Sequence, residues 1–195
     1  MGKYSAAGGY GSLHAIPFAP PDPSKWKALC AFTSIPKIDF FSWTLAHRSI
    51  LTCDNLRRRG WEGPSRCPMC LVEEENVDHM FLLCPFAKET WKEVLKMSLD
   101  KIAMPVNLQD MLKNWASSSP FCLNKKELLK TCWMWIPKFT CWKIWIERNS
   151  RIFRYKSRSS TRVAIKARAM MGEALEAKTS IRNANALDTE EDQWL

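Results

Sequence analysis

The chain has 195 residues and a formal net charge of +9, from 29 basic and 20 acidic side chains. This length suits one ordinary domain with extensions, and 46% hydrophobic and 25% charged residues exclude a disordered or collagen-like chain. Seven glycines argue against a doubly wound nucleotide-binding fold, and no apolar segment is long enough to suggest a membrane span. The basic balance permits a nucleic acid or an anionic surface as partner without requiring one.

The N-terminal third is expected to pass from a flexible arm into short helices. Residues 1–25 are rich in Gly, Ala and Pro, which disfavours regular structure. Apolar side chains at helical spacing predict a helix over residues 37–48. Thr52 is a suitable N-cap for a second, short helix, and Gly60 is a suitable residue to end it.

A turn-rich segment follows, and three further helices are predicted after it. Asn76 can cap a helix over residues 77–83. Pro85, in the first position of a helix, can restart the chain into residues 86–98. The third of these helices is predicted over residues 107–116 and leads into a Ser-rich linker.

The strongest periodic signal lies after Asn124. Apolar side chains there step alternately by four and three residues, which predicts a long helix with one apolar seam. Pro137 removes a backbone hydrogen bond inside this helix, so we expect a kink or a break near Trp135. A last helix is predicted from Thr161 to Lys178, with Ser160 as its cap. The seam consists of Leu128, Cys132, Trp135, Phe139, Trp142, Ile146, Asn149 and Phe153.

Four residues have the spacing of a metal site. Cys67, Cys70, His79 and Cys84 form the pattern C-x2-C-x8-H-x4-C. Two cysteines in a tight turn, with a histidine and a cysteine about one helical turn apart, can surround Zn²⁺ as a tetrahedron. Four protein ligands leave no position for water, so such a site is structural. The alternative is a set of reduced core cysteines, which is the interpretation we give to Cys30, Cys53, Cys122, Cys132 and Cys141.

These patterns together predict a mainly α-helical chain. A small helical domain surrounds the C-x2-C-x8-H-x4-C loop and helix, and long C-terminal helices follow it. The expected units are a flexible arm (1–25), a zinc-binding domain (26–98), a helix and linker (99–123), a helical extension kinked at Pro137 (124–178) and a loose acidic tail (179–195).

No sequence motif of a catalytic site is present. The chain has no phosphate-binding glycine loop, no serine-hydrolase elbow, no zinc-protease helix and no adjacent pair of aspartates. We therefore expect no enzymatic activity. Eight cysteines without a signal-peptide pattern favour a reducing, intracellular location, either nuclear or cytoplasmic.

Several separated motifs occur in the order and spacing of one known family. They are I-P-K-I-D-F-F-S-W at 35–43, L-T-C-D-N-L-R-R-R-G-W at 51–61, C-P-M-C at 67–70, and H-M-F-L-L-C-P-F-A at 79–87 followed by Trp91. Over about residues 3–92 the chain closely resembles the zinc-binding domain of plant non-LTR (LINE-type) retrotransposon reverse transcriptases. The segment I-W-I-E-R-N-S-R-I-F at 144–153 is similar to one found downstream of that domain.

The resemblance implies a zinc ion on the four residues of the C-x2-C-x8-H-x4-C pattern. It also implies a parent enzyme that acts on RNA and DNA, in which the domain follows the polymerase and often precedes a ribonuclease H domain. The chain is therefore expected to be a piece of a retroelement reading frame. Leu71 departs from the family, which commonly has Gly after the second cysteine, and a left-handed backbone there would cost Leu about 1 kcal/mol.

We expect a non-catalytic zinc-binding module that contacts nucleic acid non-specifically through basic side chains. Residues 143–168 carry nine basic side chains against Glu147 alone. Three alternatives remain: solvated helix faces, a structural or interaction module packed on the polymerase or nuclease domains of a retroelement protein, and a retroelement fragment without independent function. The candidate nucleic-acid contacts are Arg57, Arg58, Arg59, Lys143, Arg148, Arg151, Arg154, Lys156 and Arg158.

Overall fold

The computed structural model describes residues 32–96, 104–119 and 127–191. These ranges are mainly α-helical and contain no β-strand, which confirms the predicted fold class. The arm predicted at 1–25 lies outside the described residues. The helices are α1 (Pro36–Ala46), α2 (Cys53–Arg57), a π-helical segment (His79–Leu83), α3 (Pro85–Val94), α4 (Leu108–Asn114), α5 (Glu127–Arg154) and α6 (Ser160–Glu191).

Local capping signals place most helix starts as predicted. Pro85 occupies the first turn of α3, and the Asn107 side chain caps α4 by accepting a hydrogen bond from the Asp110 N–H at 2.8 Å. The cap of α6 is Ser159 and not Ser160, because the Ser159 hydroxyl accepts from the Arg162 N–H at 3.3 Å.

The last helix is longer than predicted. α6 continues past Lys178 to Glu191, so residues 179–191 of the expected loose tail are helical. The reason lies in the sequence, because this segment contains neither Gly nor Pro and nothing in it ends a helix.

Of the kink or break expected near Trp135, the break does not occur, since α5 is continuous through Pro137. Proline has no N–H to donate to the carbonyl four residues earlier, which belongs to Trp133. That carbonyl instead accepts a hydrogen bond from the Trp115 indole at 2.8 Å. The Trp133 indole in turn donates to the Trp115 carbonyl at 2.7 Å, and the two rings stack 4.7 Å apart. A side chain from the end of α4 thus replaces the donor that the proline lacks.

One hydrophobic core joins the predicted zinc-binding domain to the helical extension. It includes Phe41 of α1, Phe81 of the π-helical segment, Trp91 of α3 and Ile144 of α5. The most extensive helix packing is that of α6 against α5 and α3, and α1 packs on α5. The metal-ligand segment therefore rests on the same core as the long helices.

The apolar seam of α5 is buried only in its middle. Trp135 and Phe139 are buried with Ile38 of α1, whereas Leu128 and Phe153 near the two ends are exposed. α5 packs against α1, α3 and α6 together, so its buried face is wider than one stripe. None of the described helices is both long enough and apolar enough to cross a membrane. Cys53 and Cys141 are buried as predicted, Cys132 is partly exposed, and Cys30 and Cys122 lie outside the described residues.

Candidate metal centre

A tight loop, residues 65–75, presents the first two cysteines, and we call it the metal loop. Its ends are held by hydrogen bonds from the Cys67 N–H to the Glu73 carbonyl (2.8 Å) and from the Glu75 N–H to the Ser65 carbonyl (2.7 Å). Leu71 has a φ of 60°, which is the left-handed conformation anticipated at this position. The loop therefore adopts a glycine-type turn without a glycine.

The third and fourth ligands lie at the two ends of the π-helical segment. The Asn76 side chain caps it, as predicted, by accepting from the His79 N–H at 2.9 Å. The segment was expected to be α-helical, and in an α-helix residues five apart lie about 140° apart around the axis. Here the Cys84 N–H reaches the His79 carbonyl at 2.7 Å, a π-type bond whose wider turn brings residues five apart closer to one side. The Trp91 indole donates to the Phe81 carbonyl at 2.7 Å and holds this turn from the core.

The four side chains converge on one point. The sulfurs of Cys67 and Cys84 are 3.9 Å apart, and the Cys70 sulfur is 3.4 Å from Nε2 of His79. All four ligand atoms lie within 4.8 Å of one another. Tetrahedral zinc bonds of about 2.3 Å to sulfur and about 2.0 Å to nitrogen separate the ligand atoms by about 3.8 Å (S–S) and about 3.5 Å (S–N). The predicted quartet therefore fits a zinc ion.

Backbone N–H groups favour a thiolate at Cys84. The hydrogen bond from the Cys67 thiol lowers the pKa of Cys84, and the N–H groups of Phe86 and Ala87, in the first turn of α3, lower it further. The same hydrogen bond, together with burial, raises the pKa of Cys67. Since the thiolate is the form that binds a metal, the lowered pKa prepares Cys84 to do so.

A carboxylate lies beside the second ring nitrogen of His79. Oε2 of Glu73 is 3.1 Å from Nδ1, but the buried Nδ1 makes no hydrogen bond in this orientation. Glu73 is exposed, so its carboxylate is free to rotate towards Nδ1 of His79. A hydrogen bond here would orient the ring with Nε2 towards the metal, which is the usual partner arrangement of a metal-binding histidine.

The metal loop is held from α5 by Arg151. Its Nη1 donates to the carbonyls of Pro68 (3.2 Å) and Met69 (3.0 Å), which lie between the two loop cysteines. The guanidinium also lies 4.6 Å from the centre of the Phe86 ring. This arginine thus contacts both segments that carry cysteine ligands.

A buried ion pair fastens the end of the loop. Arg148 donates to Glu75 through Nε (3.1 Å) and Nη2 (2.8 Å), and the side chains are 4% and 0% exposed. Glu75 also accepts from the Cys53 N–H at 2.9 Å, at the start of α2. No local signal in the sequence marks Glu75 as a buried residue, because its partner lies 73 residues away.

These contacts change the set of arginines that can meet a phosphate. Arg148 and Arg151 bind groups of the metal loop, and Arg158 pairs with the buried Glu147 at 3.3 Å. Arg57 faces Glu74 at 3.6 Å and Arg58 faces Asp54 at 3.7 Å, both at the surface. The remaining candidates on the surface are Arg59, Arg154 and Lys156, with Lys143 partly buried.

Lys37 of α1 and Lys166 of α6 are near enough to Lys143 of α5 to act on it electrostatically, and we call these three lysines the basic cluster. Partial burial lowers the pKa of Lys143, and the positive charges of Lys166, Lys37 and Arg158 lower it further. The negative charge of Glu173 acts in the opposite direction and raises it. Lys37 and Lys166 were not among the candidate contacts, since positions so far apart in sequence carry no shared local signal.

The fold and the quartet define a small helical domain with a Cys3His cluster that could hold a metal ion. Residues 12–91 match the family described as zinc-binding in reverse transcriptase. The match covers this segment of the chain and supports the resemblance at the level of the family; the plant LINE-type origin stays an expectation. No curated protein and no solved structure is significantly similar to the chain.

Proposed function

We propose that the chain is a non-catalytic, zinc-stabilised module that binds nucleic acid by contacting phosphates. The observation that carries this proposal is the basic cluster, in which Lys37 and Lys166 from two other helices add positive charge around the partly buried Lys143. Like charges held together destabilise a fold, and a phosphate between them relieves the repulsion. Reverse transcriptases act on nucleic acid, so the family supports such a partner.

The zinc site has a structural role in this proposal. Zinc bound by the quartet supplies a four-coordinate cross-link with no open position for a substrate. The free energy of metal binding then contributes to folding, because the unfolded chain does not array the ligands. Polymerase or nuclease activity of the purified protein above that of a Cys67→Ser variant would contradict the non-catalytic role.

Salt dependence tests the phosphate contacts. The affinity for labelled single- and double-stranded RNA and DNA is measured by fluorescence anisotropy between about 50 and 200 mM salt. Each phosphate contact contributes about 0.7–0.9 to the slope of log affinity against log salt. The double variant Lys37→Gln/Lys166→Gln should therefore lower the slope by about 1.4–1.8.

The matched control is Lys92→Gln/Lys96→Gln, which removes the same charge from two exposed lysines, one in α3 and one just after its end. Those lysines pair with Glu89 and Glu93 one turn away. An affinity that does not weaken with salt, or equal slopes for the two double variants, would refute the role of the basic cluster.

The burial of the middle of the apolar seam of α5 argues against the alternative of a protein-interaction module. Docking on a polymerase or nuclease domain through the apolar seam needs that seam to be exposed, yet Trp135 and Phe139 are buried within the chain. Two members of the basic cluster, Lys37 and Lys166, are by contrast exposed to a partner. We therefore place nucleic acid first among the proposed partners.

A further inference from the structure

An apolar cleft of about 500 Å³ opens beside the metal loop. It lies between α2, the metal loop and the C-terminal end of α5, and residues of all three line it. Trp61, Leu71 and Phe153 form much of its mouth and remain 39%, 68% and 70% exposed. Within the described part of the chain, nothing covers these side chains.

The mouth of the cleft has a specific shape. A Cβ atom on Gly63 would lie 2.1 Å from the Trp61 ring, so only glycine at this position allows the indole to lie where it does. Leu71 is held there by its left-handed backbone. Two independent backbone features thus place apolar side chains at the edge of an open cleft.

One exposed arginine lines the cleft, and two more lie close in sequence to its aromatic side chains. Arg66 lines the cleft, Arg59 stands two residues before Trp61, and Arg154 directly follows Phe153. All three arginines are exposed and have no ion-pair partner among the described residues. An apolar peptide would need the walls but would have no use for this positive rim.

We propose that the cleft binds an unpaired nucleobase of single-stranded RNA or DNA. Aromatic side chains that stack on a base, together with cations that follow the backbone, are the recurrent chemistry of single-strand binding. The base would lie between Trp61 and Phe153, and the neighbouring phosphates would lie at Arg66 and Arg154. This inference rests on the proposed function, since it names the form of nucleic acid that the same protein binds.

The deciding probe is a strand without bases. Anisotropy compares labelled oligo-U and oligo-dT of roughly 12 nucleotides with an abasic strand that has the same number of phosphates. Base stacking of about 1–3 kcal/mol predicts about 5- to 150-fold weaker binding of the abasic strand. Trp61→Ala and Phe153→Ala should weaken binding of the normal strands by a similar factor and leave the abasic strand unchanged.

Matched controls lie on α1, where Trp43 and Phe40 are also exposed and stack on each other at 6.1 Å. Trp43→Ala and Phe40→Ala should leave both affinities unchanged. Gly63→Ala displaces the Trp61 ring without removing it and should reproduce the Trp61→Ala result. Zinc content and far-UV circular dichroism establish that each variant is folded. If Trp61→Ala does not fold, the result for Phe153→Ala decides the test.

The possible outcomes separate the two proposals. Equal, salt-sensitive binding of normal and abasic strands would overturn the base-binding cleft and leave the phosphate contacts standing. Equal effects of the cleft variants and the α1 variants would also overturn it, as expected if the cleft takes an apolar peptide instead. No binding of any strand would refute both proposals.

Discussion

Replacing Arg148 by methionine isolates the buried ion pair behind the metal loop. Arg148→Met removes two hydrogen bonds to Glu75 and keeps most of the side-chain volume. The Glu75 carboxylate, with no exposed surface, then keeps only the neutral donors of Cys53, its N–H and its thiol. Removing one partner of a buried ion pair costs about 3–5 kcal/mol, because the other charge stays buried and uncompensated.

The second variant tests whether the charge is the cause. In Glu75→Gln/Arg148→Met the amide oxygen can still accept from the Cys53 N–H, and no charge is left in the interior. The cost should then fall to that of the lost hydrogen bonds, about 1–2 kcal/mol. The free energy of unfolding is obtained from urea titrations followed by tryptophan fluorescence, with zinc present.

The control is Arg58→Met on α2, an exposed arginine paired with Asp54 one turn away. Such a surface pair contributes less than about 0.5 kcal/mol. The reasoning is refuted if Arg148→Met destabilises no more than Arg58→Met. It is equally refuted if the double variant is no more stable than Arg148→Met alone. An Arg148→Met chain that does not fold, beside a folded double variant, agrees with it.

Four further predictions follow from the geometry. Elemental analysis should find one zinc per folded chain and a loss of that zinc in Cys84→Ser. Leu71→Gly should raise the free energy of unfolding by about 1 kcal/mol, measured in urea, because glycine adopts a left-handed backbone without strain. Trp115→Phe removes the indole donor of the Trp133 carbonyl. In a Pro137→Ala background the residue 137 N–H can donate to that carbonyl instead, so Trp115→Phe should lower the free energy of unfolding by about 1–3 kcal/mol less there than in the wild type. Equal losses in the two backgrounds would contradict this. Burial and the Glu75 carboxylate raise the pKa of Cys53 to about 11, so its thiol should resist iodoacetamide at pH 8, and its contribution to stability should hold below pH 9 and be lost as the pH rises through 11.

Sequence patterns were sufficient where the determining contacts are local. Asn76, Pro85 and Asn107 mark helix starts because their caps act within one turn. The metal quartet was recognisable for the same reason, since all its members lie within residues 67–84. The left-handed backbone at Leu71, with a φ of 60°, stands at the position where the resembled family commonly has glycine.

Patterns failed where a partner comes from a remote part of the chain. Pro137 does not break α5, because the replacing donor belongs to Trp115. Arg148 looks like any arginine of a basic segment, and only the fold shows that Glu75 is its partner. The π-turn was missed because periodicity does not report a single widened turn, although the four residues between His79 and Cys84 require one.

The ion pair between Glu75 and Arg148 also bears on how far the module can be divided. The match to the zinc-binding family ends at residue 91, with all four ligands included. A chain cut there would keep every metal ligand and lose both arginines that hold the loop, leaving the Glu75 carboxylate without its counter-charge. The two residues are 73 positions apart, yet the loss of either one leaves the other as an uncompensated buried charge. The smallest fragment without an unpaired buried charge must therefore include both residues, and it extends well beyond the segment that contains the zinc ligands.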